Sequence, residues 1–458
     1  MRISIEVPDA VLHGLLDGVA IPEMARVRYT APTPPAIPDV GAVVRAELRR
    51  PALRDLVRPG ERIAVGVGSR GIARLAEIVA ALVAGLKAAG AEPFVVPAMG
   101  SHGGASAGGQ REVLAHLGVT EERVGAPVVS DMTTDEVGRT PDGIPVRLDR
   151  AALGADGIVF VARVKPHTAF RGAYESGLAK MIAIGLGKQS GAAACHAAGF
   201  GDMARRVPAL AMVALERAPI RFGLAVLENA HDQPYKLVAV PARDILADEP
   251  ALLDEAKAAM PRVPFEQLDV LVIDQIGKNV SGDGADPNIT GRYPTPFASG
   301  GPQVAKQLVL DLTAETGGNA NGIGTADFTT GRAAAKMDFG QTYPNGLTST
   351  VVGPVSLPMI LPTDRLALAA ALLTCNAVGR EPRLLRIANT LRLDEFAVSA
   401  SLLDEVRRHP HLEVVAGPGA PAFDAAGDLL DLGDPGAALG APGAAAPPAA
   451  APAGADGR

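Results

Sequence analysis

Three short segments of the chain place a histidine or a lysine where α/β enzymes often hold their reactive groups. They are residues 100–104 with His102, residues 165–167 with His167, and the run 180–196, which begins with Lys180 and ends with His196. The first segment follows a strand-like stretch, and the second ends one. Because open parallel sheets bind ligands at the carboxyl ends of their strands, these side chains are candidates for one shared pocket. The pattern indicates an enzyme.

The two loop histidines have different surroundings. His102 lies in a glycine-rich stretch before a predicted helix, where the backbone can approach a ligand closely and the helix N-terminus favours an anion. An ordinary surface-loop histidine is the alternative. His167 follows Lys165 and Pro166 after an apolar strand, so a constrained backbone directs its imidazole outwards. A histidine that satisfies loop carbonyls is the alternative there.

Lys180 and His196 are the candidates for holding a cofactor. Lys180 has apolar neighbours, and burial lowers the pKa of a lysine and can leave a nucleophilic amine that forms a covalent link to a cofactor. A lysine that extends its ammonium to solvent is the alternative. His196 lies among small residues that admit a bulky group, which makes its imidazole a candidate metal ligand. One histidine cannot build a metal site without further donors.

Standard cofactor motifs are incomplete in this sequence. Residues 66–71 have the pattern Gly-x-Gly-x-x-Gly, but the next strand ends without the acidic residue that binds a ribose, so a simple anion-binding turn is the alternative. No Walker A motif and no His/Asp/Glu cluster at metal spacing occurs in the sequence. Cys195 and Cys375 are too far apart to suggest an iron–sulfur cluster or a thiolate-rich zinc site. A cofactor outside these standard classes must therefore supply any chemistry that the side chains alone cannot perform.

Composition limits the partners. The 458 residues include 43 basic and 50 acidic side chains, a net charge of −7, and no long basic run, which argues against a nucleic-acid partner. The absence of tryptophan argues against a stacking platform for single strands. No apolar stretch of about 18 residues occurs, so no membrane span is predicted. The N-terminus lacks the apolar core of a signal peptide, and two distant cysteines fit a reducing compartment, so we expect a cytoplasmic protein.

Apolar periodicity predicts an α/β fold with two α/β lobes, largely parallel sheets and a cleft between them. The predicted lobes are residues 1–264, which would bind a cofactor, and 265–420, which would close over the substrate. Residues 421–458 form an Ala/Pro/Gly-rich tail, of which 438–458 are predicted to be disordered. Residues 1–8 alternate like a strand. Further strands are predicted at 62–67, 93–98, 157–164, 222–227, 268–273 and 303–312, and helices at 72–89, 110–117, 190–198, 203–217, 248–259, 365–377 and 404–409.

Taken together, these residues resemble the nickel-dependent lactate racemase family over roughly residues 10–420. The resemblance implies a nickel-pincer nucleotide, a pyridinium mononucleotide whose two sulfur arms and ring carbon hold nickel. It implies Lys180 as the residue tethered to a sulfur arm and His196, sixteen residues later, as the nickel ligand. His102 and His167 resemble the two catalytic bases. Cofactor-biosynthesis enzymes would then be maturation partners.

The same resemblance extends to the substrate. Gln275 and Lys278 resemble the family's substrate-binding Gln-x-x-Lys, and Arg70 lies near the position of its substrate arginine. The residues around Arg70 and before Lys180 differ from the lactate enzyme's pattern, and tryptophan is absent. These differences argue against lactate as the substrate more than they argue against the cofactor. The implied activity is that of an isomerase: racemisation or epimerisation of a 2-hydroxy acid by reversible hydride transfer.

Two bases suit that chemistry. The Cα–H of a 2-hydroxy acid is hardly acidic, so hydride transfer avoids a carbanion, while the hydroxyl must lose its proton as the ketone forms. A histidine can accept that proton at neutral pH, and two enantiomers need two bases, His102 and His167. Alternatives are a nickel-free lyase or hydrolase that uses the same histidines and Lys180 as a Schiff-base amine, and a non-catalytic binding protein. The particular 2-hydroxy acid and the oligomeric state stay open.

Overall fold

The structure is a computed structural model that describes residues 9–69, 71–197 and 199–430. The strands are β1 (Met24–Tyr29), β2 (Arg62–Val67), β3 (Glu92–Pro97), β4 (Thr134–Arg139), β5 (Pro145–Asp149), β6 (Gly157–Arg163), β7 (Ile220–Glu228), β8 (Pro234–Pro241), β9 (Gln267–Ile276), β10 (Gln303–Leu312), β11 (Phe328–Thr330), β12 (Met359–Leu361), β13 (Leu384–Asn389), β14 (Arg392–Ser399) and β15 (Leu412–Gly419). They form two large sheets and the separate β4–β5 hairpin.

Helices connect most of these strands. They are α1 (Asp9–Leu16), α2 (Val40–Leu48), α3 (Pro51–Arg54), α4 (Leu75–Ala88), α5 (Ala107–His116), α6 (Glu121–Val124), α7 (Arg150–Leu153), α8 (Leu178–Lys180), α9 (Lys188–His196), α10 (Met203–Arg217), α11 (Ile245–Ala259), α12 (Pro287–Thr290), α13 (Gly331–Lys336), α14 (Phe339–Ser349), α15 (Asp364–Thr374) and α16 (Leu403–Arg408). A π-helix, Met181–Gly185, lies between α8 and α9. Among the described residues, no helix is both long enough and apolar enough to span a membrane.

The first sheet has five strands in the order β3-β2-β6-β7-β8. The pairs from β3 to β7 are parallel, and β8 runs antiparallel to β7 at one edge. Successive residues of β2 enter two different cores: Ala64 belongs to one, and Ile63 and Val65 belong to the other. A sheet buried on both faces explains why its strands are continuous apolar runs in the sequence. The carboxyl ends of its four parallel strands lie at the same edge.

The second sheet has eight strands in the order β12-β11-β10-β9-β13-β14-β1-β15. The strands from β12 to β13 are parallel, and β14, β1 and β15 continue the sheet in antiparallel fashion. β1 precedes every strand of the first sheet in the chain, yet it pairs within the second sheet. The division of the chain at 264/265 and 420/421 stays a prediction.

The predicted α/β class with largely parallel sheets is confirmed. The β-α-β unit predicted near the start of the chain is formed by β2, α4 and β3, whose two strands are parallel. Gly90 follows this helix with a φ of 85°, a left-handed conformation that suits glycine at a helix end. Three expectations lie outside the described residues: the strand at 1–8, the disordered tail at 438–458, and the position of Arg70.

Candidate active site

Glycines allow the π-helix to pack directly on the carboxyl ends of β2 and β3. A Cβ at Gly68 would lie 2.9 Å from Met181 Cε, and a Cβ at Gly185 would lie 2.7 Å from the carbonyl oxygen of Ala98. The π-helix is closed by a hydrogen bond from the Leu186 N–H to the Met181 carbonyl, of 2.9 Å. Such i→i+5 turns are rare and frequently occur at functional sites. Lys180 immediately precedes this turn, at the edge formed by the carboxyl ends of the parallel strands.

Glu249 of α11 fixes the short helix that ends at Lys180. Its carboxylate accepts a hydrogen bond of 2.7 Å from the Ala179 N–H, and a side chain at Gly177 would collide with it. Burial raises the pKa of Glu249 to about 7, although the backbone hydrogen bonds of Ala179 and Leu178 act in the opposite direction. A buried acid therefore holds the backbone from which Lys180 extends.

His196 and Lys180 lie close together. Burial, and then the positive charge of Lys180, lower the pKa of His196 to about 4, while a hydrogen bond to the Ala192 carbonyl acts in the opposite direction. Burial likewise raises the pKa of the neighbouring Cys195 thiol to about 11, against the effect of Lys180 and Arg206. At neutral pH the site therefore offers a neutral imidazole, which is the form that binds metals, and an unreactive thiol.

Phe200 brings His167 and His196 to one aromatic cluster. Its ring centroid lies 6.0 Å from that of His167 and 5.6 Å from that of His196. Phe170 contacts the His167 ring from a centroid distance of 4.5 Å. Three of the residues predicted from the sequence, namely His167, Lys180 and His196, are therefore neighbours. Phe200 itself was not predicted, because an isolated phenylalanine in a glycine-rich stretch has no recognisable pattern.

The loop that carries His167 is held by a buried glutamate. Lys165 and Ser176 close the loop with two backbone hydrogen bonds, of 2.9 and 3.2 Å. The Glu175 carboxylate accepts from the His167 N–H at 2.7 Å and forms ion pairs with Arg171 at 3.2 Å and Lys257 at 2.9 Å. Because Glu175 is fully buried, this arrangement fixes the backbone of the predicted base.

A backbone hydrogen bond also determines the protonation of the His167 ring. The Ala169 N–H donates to Nδ1 of His167 over 3.0 Å, so in the neutral ring this nitrogen has the lone pair and Nε2 carries the proton. A proton on Nδ1 would face the Ala169 N–H. The ring must therefore leave this hydrogen bond before it transfers a proton.

His102 is exposed and lies in a tightly packed glycine turn. Its Nδ1 is hydrogen-bonded to the hydroxyl of Ser69, which follows β2. Gly103 has a φ of 65°, and a Cβ there would lie 2.6 Å from the Gln110 backbone nitrogen. Only glycine allows the turn to pack on α5 in this way. The Gly-rich surroundings that suggested a ligand loop therefore also have a packing role.

Contacts from the second sheet reach the His167 loop. The Lys165 ammonium pairs with Asp286 at 3.1 Å, and the Arg171 guanidinium donates to the Tyr293 hydroxyl at 2.8 Å. The Arg171 guanidinium also lies over the Tyr293 ring, 4.9 Å from its centroid. These ion pairs and hydrogen bonds join the predicted lobes beside a predicted catalytic base.

Of the three predicted substrate-binding residues, two lie at or just after the end of β9, and one lies outside the described residues. Gln275 is an exposed residue of β9, opposite Asp311 of β10. Lys278 follows β9 and donates from its ammonium to the Gly282 carbonyl at 2.8 Å. Arg70 is not among the described residues. The role of all three stays a prediction.

The donor set fits a metal that brings most of its own ligands. Within the described residues, no group of three or more His, Cys, Asp or Glu side chains could hold a metal ion. The site offers one neutral imidazole, His196, beside one amine, Lys180. That set fits a pincer nucleotide, whose sulfur and carbon donors hold three nickel positions, better than a free metal ion.

The first part of the chain matches a known family. Residues 18–207 match the family model described as Lactate racemase N-terminal domain. This part of the chain is a lactate racemase N-terminal domain. The match includes His102, His167, Lys180 and His196, so these four residues lie within the lactate racemase N-terminal domain, and the predicted family is confirmed there.

The structure is similar to that of the lactate racemase apoprotein from Thermoanaerobacterium thermosaccharolyticum, with a TM-score of 0.49 and 12% sequence identity. The similarity covers 80% of this chain and 98% of that chain. The search of curated proteins gave no match.

Proposed function

We propose that the protein is a racemase or epimerase of a 2-hydroxy acid that uses a nickel-pincer nucleotide attached through Lys180. The observation that carries this proposal is the proximity of Lys180 to the half-buried, neutral imidazole of His196 inside a lactate racemase N-terminal domain, where the charge of Lys180 helps to lower the pKa of His196. A racemase-type function follows from the family. The cofactor, the substrate class and a cytoplasmic setting with maturation enzymes belong to the proposal.

Lys180 and His196 would both hold the cofactor. The amine of Lys180 would form the covalent link, and the neutral imidazole of His196 would be the protein's ligand to nickel. When bound, the nucleotide would supply an acceptor for the hydride from the substrate Cα. The small side chains before His196 leave room for a bulky group, and Glu249 fixes the turn that ends at Lys180.

His102 and His167 would exchange the hydroxyl proton of the substrate. Nδ1 of His102 is hydrogen-bonded to the Ser69 hydroxyl, which holds the ring that would take the hydroxyl proton. His167 rests with its proton on Nε2 and must release the Ala169 N–H before it accepts another proton. The two histidines therefore start from unequal states, and binding of substrate would have to shift His167 out of its resting hydrogen bond.

The second lobe would bind the substrate carboxylate. Lys278 would neutralise it, Gln275 would donate an oriented hydrogen bond, and Arg70 would provide a second cationic contact. Closure of the lobes would exclude water and retain the planar keto acid until hydride returns to either face. The contacts from Lys165 to Asp286 and from Arg171 to Tyr293 join the two predicted lobes, so closure would alter them.

A deuterium label tests the proposed chemistry. The protein, co-expressed with pincer-cofactor biosynthetic enzymes, is given single enantiomers of 2-hydroxy acids that carry deuterium at C2. We expect the opposite configuration to form with deuterium retained at C2, and no product from Lys180→Arg. Loss of the deuterium to water would contradict hydride transfer. Borohydride trapping of a carbonyl substrate on Lys180, with full activity in protein made without the biosynthetic enzymes, would support a nickel-free Schiff-base enzyme instead.

A further inference from the structure

Lys188 is a fully buried lysine in a strained conformation at the start of α9. Its φ is 52°, in the left-handed region that residues with a Cβ rarely adopt. Such conformations persist only where the surroundings enforce them, and they cluster at functional sites. α9 ends at His196, so Lys188 fixes the beginning of the helix that carries the proposed nickel ligand.

The Lys188 ammonium has three partners in the core. It donates to the Pro97 carbonyl at 2.6 Å and to Gln110 Oε1 at 3.2 Å. It also forms an ion pair of 2.9 Å with Asp149, and both of these side chains are fully buried. Asp149 in turn accepts a hydrogen bond from the Ala152 N–H at 2.9 Å. With its ammonium so occupied, Lys188 is not a second site of attachment.

Gln110 continues the network to the loop that carries His102. Its amide nitrogen donates to the Gly100 carbonyl at 2.9 Å and to the His102 carbonyl at 3.2 Å. The orientation of the amide is determined, because a lysine can only donate and the two carbonyls can only accept. Gln110 is fully buried, so its polar atoms depend on these partners.

We propose that Lys188 and Gln110 are positioning residues, which form a buried bridge between the His102 loop and the helix that carries His196. Removal of the bridge leaves each segment attached to its own element and removes a buried connection between the two. The catalytic meaning of the bridge rests on the proposed function, in which His102 takes the hydroxyl proton beside a cofactor held by His196. The bridge itself can be tested without cofactor.

The first test is hydrogen–deuterium exchange of the apoprotein. Gln110→Met keeps the size of the side chain and removes both arms of the bridge, and Gln307→Met is the matched control. Gln307 is a buried residue of β10, and its amide donates to the Thr325 hydroxyl. We expect amide exchange in residues 100–106 to increase at least about tenfold in Gln110→Met, relative to both wild type and Gln307→Met. Equal protection in the two variants would overturn the proposal.

A second variant covers the case in which Gln110→Met does not fold. Gln110→Glu keeps an acceptor for the Lys188 ammonium but loses the donor to Gly100 and His102. We expect the same increase in the rate of amide exchange in residues 100–106. Residues 188–196 should exchange as slowly as they do in wild type. Wild-type exchange in residues 100–106 would overturn the proposal.

The loaded enzyme provides the second readout. Gln110→Met should lower kcat at least about tenfold, with KM within about threefold of wild type and nickel content unchanged. A fall in kcat no larger than that of Gln307→Met would mean that the bridge does not position the base. If wild-type Lys180 carries no adduct, the proposed function fails, and the exchange experiment still decides whether the bridge exists.

Discussion

His196 and Lys180 are close neighbours in the fold, and burial followed by the charge of Lys180 lowers the pKa of His196 to about 4. Sixteen residues separate the two in the chain. The π-helix Met181–Gly185 and α9 lie between them, and the packing of Gly185 against Ala98 anchors this segment to the sheet. An amine and a neutral imidazole are therefore held beside each other at the edge where the parallel strands of the first sheet end.

Replacement of Lys180 should change the titration of His196. In Lys180→Met the positive charge disappears, so we expect the pKa of His196 to rise, while burial still keeps it below the ordinary value of 6.5. Nuclear magnetic resonance of histidine-labelled apoprotein measures this directly. Lys236→Met, which removes a surface partner of Glu255, is the control and should leave His196 unchanged. An unaltered His196 titration in Lys180→Met would contradict the proximity of the two groups.

Both proposed bases should be required for racemisation. We expect His102→Asn and His167→Asn each to lower the rate by about 10²–10⁴, the usual contribution of a positioned acid or base. His116→Asn is the control, because His116 is on α5 and its ring bonds to the Glu112 carbonyl. Chiral chromatography of the product measures the effect. Turnover near that of wild type in both variants would contradict the proposal that His102 and His167 are the two catalytic bases.

Glu175 should be important for stability because two cations depend on it. Glu175→Gln leaves Arg171 and Lys257 without their buried carboxylate, and we expect the free energy of unfolding to fall by about 2 kcal/mol. The partial exposure of both cations limits the loss. Glu255→Gln, which removes a surface ion pair with Lys236, should cost less than about 1 kcal/mol. Urea denaturation compares them, and equal losses would be inconsistent with the role assigned to Glu175.

Glu249 should make stability depend on pH. Its pKa is about 7 in the fold against an ordinary value of 4.5, so the folded protein holds a proton that the unfolded chain releases. The associated stability is complete below pH 4.5 and is lost as the pH rises through 7, a change of about 3 kcal/mol. Glu249→Gln should remove this part of the pH dependence in urea denaturation curves. If Glu249→Gln and wild type show the same dependence of the free energy of unfolding on pH between 4.5 and 7, the pKa of Glu249 is not raised by burial.

The parallel strands of the first sheet could be predicted because each is an apolar run with clear ends. α10 was predicted at the observed Met203–Arg217, and β6, observed at Gly157–Arg163, was predicted at 157–164. The antiparallel half of the second sheet could not be predicted, because the alternation in β1 does not reveal its partners β14 and β15. Strand pairing over several hundred residues depends on the tertiary fold, not on local pattern.

The candidate site was predicted in part, for a similar reason. His167, Lys180 and His196 have recognisable neighbours in the sequence, and the structure brings them together. Glu249 and Lys188 were not predicted, because a buried charge in an ordinary helical context looks like a surface charge. Their importance depends on what surrounds them in three dimensions: backbone N–H groups for Glu249, and Asp149 for Lys188.

The most direct test of the central claim is the intact mass and nickel content of protein co-expressed with the pincer-cofactor biosynthetic enzymes. Peptide mapping across Lys180 locates any adduct. The account predicts a cofactor-sized mass increase on Lys180 and about one nickel per chain, both lost in Lys180→Arg. An unmodified Lys180 and no nickel, in a preparation where a known lactate racemase is loaded, would contradict it.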